Sequence, residues 1–359
     1  MKTIDIITSF GCILLVGAVS ITLSCSSVWA CSIPVFRYAL ERWSADDYEV
    51  LVFYQNNLSI EEQTMVDKLK KASSNSNTHT NIIVRTVNLS ESPDEAMRKL
   101  WKAQSVSELP WMVVRYPRFS RVLEDTWSGH FTAAAVEMLL DSPTRKEIAR
   151  HILEGESAVW VLLASGVQQQ DDAAAHLLET QLKKMEETLE ISVPEEDDMA
   201  YTQVNSDPHV KFSMMRLSRK DPSEQLFVQM LLHTELDLKT VSKPMAFPIF
   251  GRGRVLYALV GDGINEDNIE MACSFLVGWC SCEVKELNPG VDLLMSVNWD
   301  KFLQYEQIPL ITVYSEPTTA KDKSSDTLKR NLLIVALSQI LIVVIVTCVV
   351  LWRKKQGNQ

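Results

Sequence analysis

The chain has 359 residues, 46% of them hydrophobic and 23% charged, with a formal net charge of −11. That much apolar mass excludes collagen-like, low-complexity and wholly disordered proteins. The acidic balance excludes nucleic acid as the main partner, because phosphate binding needs a concentrated excess of Lys and Arg. The length suits two or three domains.

Residues 1–30 read as an export signal. Lys2 supplies a thin positive start, an apolar run extends from Ile6 to Val19, and Val28-Trp29-Ala30 precedes Cys31. Cleavage before Cys31 is the expectation from this pattern. Asp5 leaves an uncleaved anchor open, and Cys25 and Cys31 raise lipid attachment, although Trp29 and Thr22 fit that box poorly.

Residues 31–155 form a first half. Residues 48–54 (YEVLVFY) are a β-rich run, and 60–72 carry helical spacing through Ile60, Met65, Val66 and Leu69. A polar turn leads to a second strand at 81–89. Ser92 reads as the N-cap of the next helix, with Pro93 at its first position. After Leu109-Pro110 come strands at 111–116 and 121–127, a closing Gly129, and helices at 132–140 and 144–153.

Residues 156–310 repeat the order. A strand at 158–164 (AVWVLLA) precedes a long amphipathic helix at 171–189, with Leu178, Leu182 and Met185 on one face. A solvated loop at 192–208 follows, then a strand at 210–217 and a helix at 223–236. Phe247-Pro248 leads into a hairpin over a Gly251-Arg252-Gly253 turn, and 265–277 is helical. Residues 311–330 are a polar tether. Within 331–352, the run that begins at Leu332 and ends at Trp352 holds no charge, and Arg353, Lys354 and Lys355 follow it. That is the pattern of a single membrane-spanning helix with a stop-transfer cluster, leaving 353–359 as a cytoplasmic tail. Residues 31–330 then lie outside the cytoplasm, in the periplasm if the host is bacterial. Setting aside Lys2, Asp5 and the tail cations leaves 31 Lys and Arg against 45 Asp and Glu in that part, a balance that disfavours anionic lipid.

Strand, helix, strand, helix, a proline-led hairpin and a closing helix imply an α/β protein with mixed sheets flanked by helices. Each half resembles the thioredoxin-like fold, over roughly 48–153 and 157–278. The resemblance assigns the loop proline, usually cis, to Pro110 in Glu108-Leu109-Pro110-Trp111 and to Pro248 in Ala246-Phe247-Pro248-Ile249; trans prolines at a sheet edge are the alternative. The segment Cys31–Trp43 (CSIPVFRYALERW) is also similar to an uncharacterised family of bacterial envelope proteins, which brings no activity with it.

Thioredoxin-like oxidoreductases place Cys-x-x-Cys after the first strand, at a helix N-terminus that lowers the thiol pKa. Here those stretches are Gln55 to Leu58 and Ser165 to Gln168, without cysteine. The exported part keeps Cys31, Cys273, Cys280 and Cys282. Structural disulfides are expected, Cys280 or Cys282 pairing with Cys273 or Cys31. The competing reading is a thiol redox or copper-handling role for Cys280-Ser281-Cys282. Gly251-Arg252-Gly253-Arg254, and Arg115, Arg118 and Arg121 in the corresponding hairpin, read as turns with solvated arginines. Asp46-Asp47 and the run 195–198 read as solvated acids. Trp101 and Trp111 flank Pro110 and are candidates for core packing or for a peptide groove; Phe36, Tyr38 and Trp43 are candidates for core packing or for docking on the second half. No HExxH, GxSxG, P-loop or EF-hand pattern occurs. No cofactor, metal or catalytic residue is assigned. The function expected is a membrane-anchored binding or scaffold module, with Pro110, Trp111 and Pro248 shaping grooves for a protein partner, a membrane complex or transporter among the candidates.

Overall fold

Val, Ile and aromatic side chains crowd two short runs, and both become central strands. β1 (Tyr48–Tyr54) and β5 (Ala158–Leu163) are buried almost throughout, because each is covered on both faces. The computed structural model describes residues 33–75, 79–118, 120, 122, 125–191, 209–279 and 284–305. The export signal with Cys31, the tether, the expected span and the tail lie outside the described residues. No helix among the described residues is long and apolar enough to cross a membrane.

In the first half, α1 (Val35–Arg42) precedes β1. Then come α2 (Ile60–Ser74), β2 (Ile82–Asn88), α3 (Glu95–Ala103), β3 (Trp111–Arg115), β4 (Asp125–His130), α4 (Ala133–Leu140) and α5 (Pro143–Leu153). The sheet order is β2-β1-β3-β4, with β1 and β2 parallel and β3 antiparallel to both neighbours. Period-two alternation divides β1 between two cores. Tyr48, Val50 and Val52 face one side, while Leu51 and Phe53 meet Met97 of α3 on the other. Capping follows local chemistry: Ser59 and Glu62 form a capping box on α2, and Thr132 and Ser142 cap α4 and α5.

The second half contains α6 (Gln168–Thr188), β6 (Phe212–Leu217), α7 (Gln225–Leu232), β7 (Met245–Phe250), β8 (Arg254–Val255), β9 (Leu259–Val260) and α8 (Glu266–Val277). β10 (Val291–Asp292) and α9 (Trp299–Tyr305) follow. The strand order β10-β8-β7-β5-β6 has β5 and β6 parallel and β7 antiparallel to β5. Both sheets are mixed, flanked by helices, and share the connectivity of the thioredoxin-like fold. Val159, Val161 and Leu163 of β5 join Tyr48, Val50 and Val52 in one continuous core. The opposite face of β5, with Trp160, packs on α6 and α8 and also on Val35, Ala39 and Trp43 of the N-terminal segment. That segment therefore lies against the second half.

Several expectations change. The α3 cap is Asp94 and not Ser92; Asp94 accepts from the Met97 N–H, while Ser92 takes a left-handed conformation ending a short 3-10 turn. Gly129 sits inside β4, opposite Met112, and does not close the hairpin. A Cβ there would strike the Trp127 ring at 2.6 Å, so packing calls for the glycine.

The larger correction concerns Pro248. The Leu109-Pro110 bond is cis, and among the described residues it is the only cis bond. Pro248 lies within β7, paired to Trp160 of the central strand. The residue equivalent to Pro110 is Pro244. The Phe131 N–H after β4 donates to the Pro110 carbonyl at 3.0 Å, and the Gly261 N–H after β9 donates to the Pro244 carbonyl at 2.8 Å. Pro248 has no N–H to offer its outer neighbour. That neighbour is accordingly split into β8 and β9 on either side of it.

Candidate functional site: the Pro110 flank and the cleft between the halves

The turn after β1 is pinned by amides and hydroxyls. Asn56 has φ +61°, its carbonyl accepts from Asn88 Nδ2 at 3.1 Å, and its Oδ1 accepts from the Ser90 hydroxyl at 3.1 Å. Ser59 is committed as an N-cap. After β5, Asp171 accepts from the N–H and hydroxyl of Ser165 and from the Gly166 N–H. Neither turn holds a thiol, and the Ser165 hydroxyl that pairs with the Asp171 carboxylate also accepts from the Val167 N–H, so it braces its own turn.

Beside Pro110, Trp111 is half-buried. Its ring meets His130 edge to face at 4.9 Å, and its indole N–H donates to Gln104 Oε1 at 3.4 Å. Exposed His130 and Glu108 approach to 3.1 Å at the same flank. Trp101 packs on Phe53, ring centroids 5.4 Å apart, and like Trp111 it is part-buried against the core of Leu51, Phe53 and Met97.

The densest electrostatics lie elsewhere, between the halves. Asp292 on β10 is buried and takes Arg254 Nη1 on Oδ1 at 2.7 Å and Lys285 Nζ on Oδ2. Lys285 also donates to Asp46 Oδ1 at 2.8 Å and to the Ser44 carbonyl at 2.6 Å. The Asp46 N–H donates to Asp292 Oδ2 at 2.8 Å, and the Tyr48 hydroxyl donates to the Asp292 carbonyl at 2.8 Å. Two cations and two carboxylates thus close a neutral cluster, the condition under which buried charge is tolerated. Burial and the neighbouring Asp292 hold the Asp46 carboxyl above its usual range despite Lys285. Next to it, Asn81 donates to the carbonyls of Asp46 and Leu293 and accepts from the Met295 N–H. Arg145 of α5 donates to the carbonyls of Leu294, Leu139 and Met138. Full burial lowers its pKa to about 10. The segment after β10 is therefore tied into the first half by side chains that satisfy its backbone.

Two sequence expectations are corrected here. Arg252 and Arg254 are not solvated turn residues: Arg252 donates to the Leu40 carbonyl at 2.8 Å and pairs with Asp300 at 2.7 Å, while Arg254 is the buried partner of Asp292. Asp46 is likewise not a solvated acid. In the first half, Arg115 and Arg118 converge with Arg85 on Glu49, at 3.2, 3.4 and 2.9 Å; Arg121 lies outside the described residues. Burial alone would raise the Glu49 carboxyl, yet these arginines pull it below its usual value.

Cys273, one of the two partners expected for Cys280 or Cys282, is a free, buried thiol on the core face of α8. Burial, with Glu186 nearby, pushes its pKa up to about 12, and such a thiol packs as a small hydrophobe. Cys31, Cys280 and Cys282 lie outside the described residues. Among the described residues, no group of three or more His, Cys, Asp or Glu side chains could hold a metal ion.

Sequence reasoning missed Lys285, Asp292, Asn81 and Arg145. A signal existed for one of them: Asp292 is a lone charge in the apolar run Val291-Asp292-Leu293-Leu294-Met295, and a lone charge in such a run points to a buried pair.

A cavity of about 580 Å³ opens on this cluster, lined from both halves by Asp46, Pro117 and Val122 and by Arg254, Leu256 and Lys285 among others.

No family model and no curated protein matches the chain. Solved structures containing thioredoxin domains do. Full-length ERdj5 matches at 10% identity and TM-score 0.20, over 67% of this chain and 32% of that one. The first two thioredoxin domains of Saccharomyces cerevisiae Eps1p match at 10% identity and TM-score 0.21, over 64% and 91%. Those of Naumovozyma dairenensis Eps1p match at 9% and 0.18, over 58% and 81%. Likeness at this level carries no weight of its own; the fold assignment rests on strand order and on the two prolines that precede the hairpins.

Proposed function

We propose that the chain is a membrane-anchored, extracytoplasmic binding module whose two thioredoxin-like halves recognise a protein partner and do not exchange thiols. One observation carries the reading. Both turns that would present a reactive dithiol are instead closed by hydrogen bonds among Asn56, Asn88 and Ser90 and among Ser165, Gly166 and Asp171. The inert, buried Cys273 supports it. The half-buried Trp111 ring beside Pro110 offers an apolar surface to an extended segment. Anchoring would come from the apolar run of 331–352 and export from residues 1–30.

The test is thiol exchange by the full chain on a fluorescent disulfide-linked peptide in glutathione buffer. The reading expects a rate equal to buffer alone. A rate above buffer that disappears in Cys280→Ser or Cys282→Ser would replace it with the thiol redox or copper-handling reading.

A further inference from the structure

We propose that the cleft between the halves is a second recognition site, which takes an apolar side chain flanked by a cationic one from an extended segment of the partner. The proposal rests on the binding-module reading above and specifies the chemistry of what is bound. Three observations converge on it.

The first is size. A volume of about 580 Å³ lies within the range of pockets that enclose small ligands or several side chains. The second is apolar surface at its mouth. Leu236 and Leu287 are 76% and 74% exposed, and both line this cavity. Large apolar side chains brought together at the rim of a concave site are what interface anchors use. The third is the sign of the charge left over. Among the described lining residues the two cations, Arg254 and Lys285, are consumed by Asp292 and Asp46. Glu235 and Glu286 also line the cavity, are exposed, and hold no ion pair among the described residues. Glu235 is moreover held in place, since its Oε1 accepts from the Ala258 N–H at 2.9 Å. Among the described residues the mouth therefore presents two leucines and two carboxylates without a cationic partner. Charge complementarity selects a Lys- or Arg-bearing segment and rejects an acidic one.

The experiment measures fluorescence anisotropy of labelled decapeptides against the full chain in zwitterionic nanodiscs, with empty nanodiscs as reference. The probes alternate Lys with Leu, Glu with Leu, and Lys with Ser. The Lys/Leu peptide is expected to bind about tenfold or more tightly than either of the others, a difference of the size that one good anchor supplies. The double variant Glu235→Lys with Glu286→Lys should reverse the ranking in favour of the Glu/Leu peptide. Leu236→Ser with Leu287→Ser should weaken the Lys/Leu peptide about threefold to tenfold. All four residues are exposed, or in Leu236 and Leu287 mostly so, and unchanged thermal unfolding verifies that each variant folds.

Equal binding of the Lys/Leu and Lys/Ser peptides would overturn the proposal, as would insensitivity to the charge reversal. Lys/Leu binding that survives both cleft variants but falls in Trp111→Ala would overturn the cleft and leave the Pro110 flank as the site. If none of the peptides binds, the cleft proposal fails, while the thiol-exchange assay still decides the binding-module reading independently.

Discussion

In the first half, β3 runs beside one continuous strand, Asp125–His130, with a register shift between Val114 and Arg115; in the second half, β7 has two short partners, Arg254–Val255 and Leu259–Val260. The same connectivity thus yields a closed hairpin in one case and an interrupted one in the other. Pro248 accounts for the difference, since its missing N–H falls opposite the gap. The interrupted hairpin is also where segments distant in the sequence, α1 and β10, meet. β10 pairs with β8, Leu40 of α1 accepts from Arg252, and Gly251 lies so close to α1 that a Cβ would meet Ala39 at 2.6 Å. A complete hairpin stabilises itself through its own ladder. An incomplete one hands its edge to distant segments and becomes a joint between the halves.

The sharpest way to break this comparison is to remove the charge at each hairpin. Asp292→Ala strands Arg254 and Lys285 in a buried site and should cost about 3–5 kcal/mol in chemical denaturation. Glu49→Ala at the first hairpin, whose arginines are partly solvated, should cost only about 1–2 kcal/mol. Equal costs would mean that the two halves do not differ in how charge holds them.

The next effect concerns α8. Cys273→Ser places a hydroxyl among apolar side chains and should lose about 1–3 kcal/mol. In the unaltered chain, Cys273 should be alkylated after denaturation to the same extent with or without prior reductant. Protection of Cys273 from alkylation until reduction would contradict a free thiol.

A smaller contrast is one of sign. The Glu49 carboxyl is held below its usual value, so its stabilisation is present above the ordinary carboxylate range and is lost as pH falls through the lowered value. Asp46 is held above its usual value, so it costs stability at neutral pH and the cost is relieved as pH falls through the raised value. Glu49→Gln should therefore destabilise at pH 7 and converge on the parent in acid. Asp46→Asn leaves Lys285 with Asp292 alone, and its stability relative to the parent should rise from pH 3 to pH 7, the opposite slope. Denaturation midpoints between pH 3 and pH 7, run on both variants, give the two slopes; parallel slopes would refute the assignment. The smallest effect is expected at Pro248. Because no ladder bond is missing on its paired side, Pro248→Ala should change stability by no more than about 1 kcal/mol.

Much of the local architecture was legible. YEVLVFY and AVWVLLA were readable as strands, whereas the cap read at Ser92 falls to Asp94 two residues on. The proline pattern was half legible: Pro110 takes the loop position, whereas Lys243-Pro244 was passed over because Phe247-Pro248 lay next to a hairpin-like glycine pair. β10 and α9 were not anticipated at all. A two-residue strand has too little periodicity to be seen, and it exists only because Arg254 and Val255 await it.

What the amino-acid order determined by itself was whatever depends on neighbours a few residues apart: the strand and helix runs, the paired order of elements, and the absence of cysteine after β1 and β5. The tertiary structure alone decided which charges are buried. Asp46 and Asp292 lie 246 positions apart and Arg145 and Leu294 lie 149 apart, so no window along the chain contains both members. Hydrophobic period and capping are short-range and leave a local trace. A neutral buried cluster is created only when chain closure brings its members together and removes water from all of them at once.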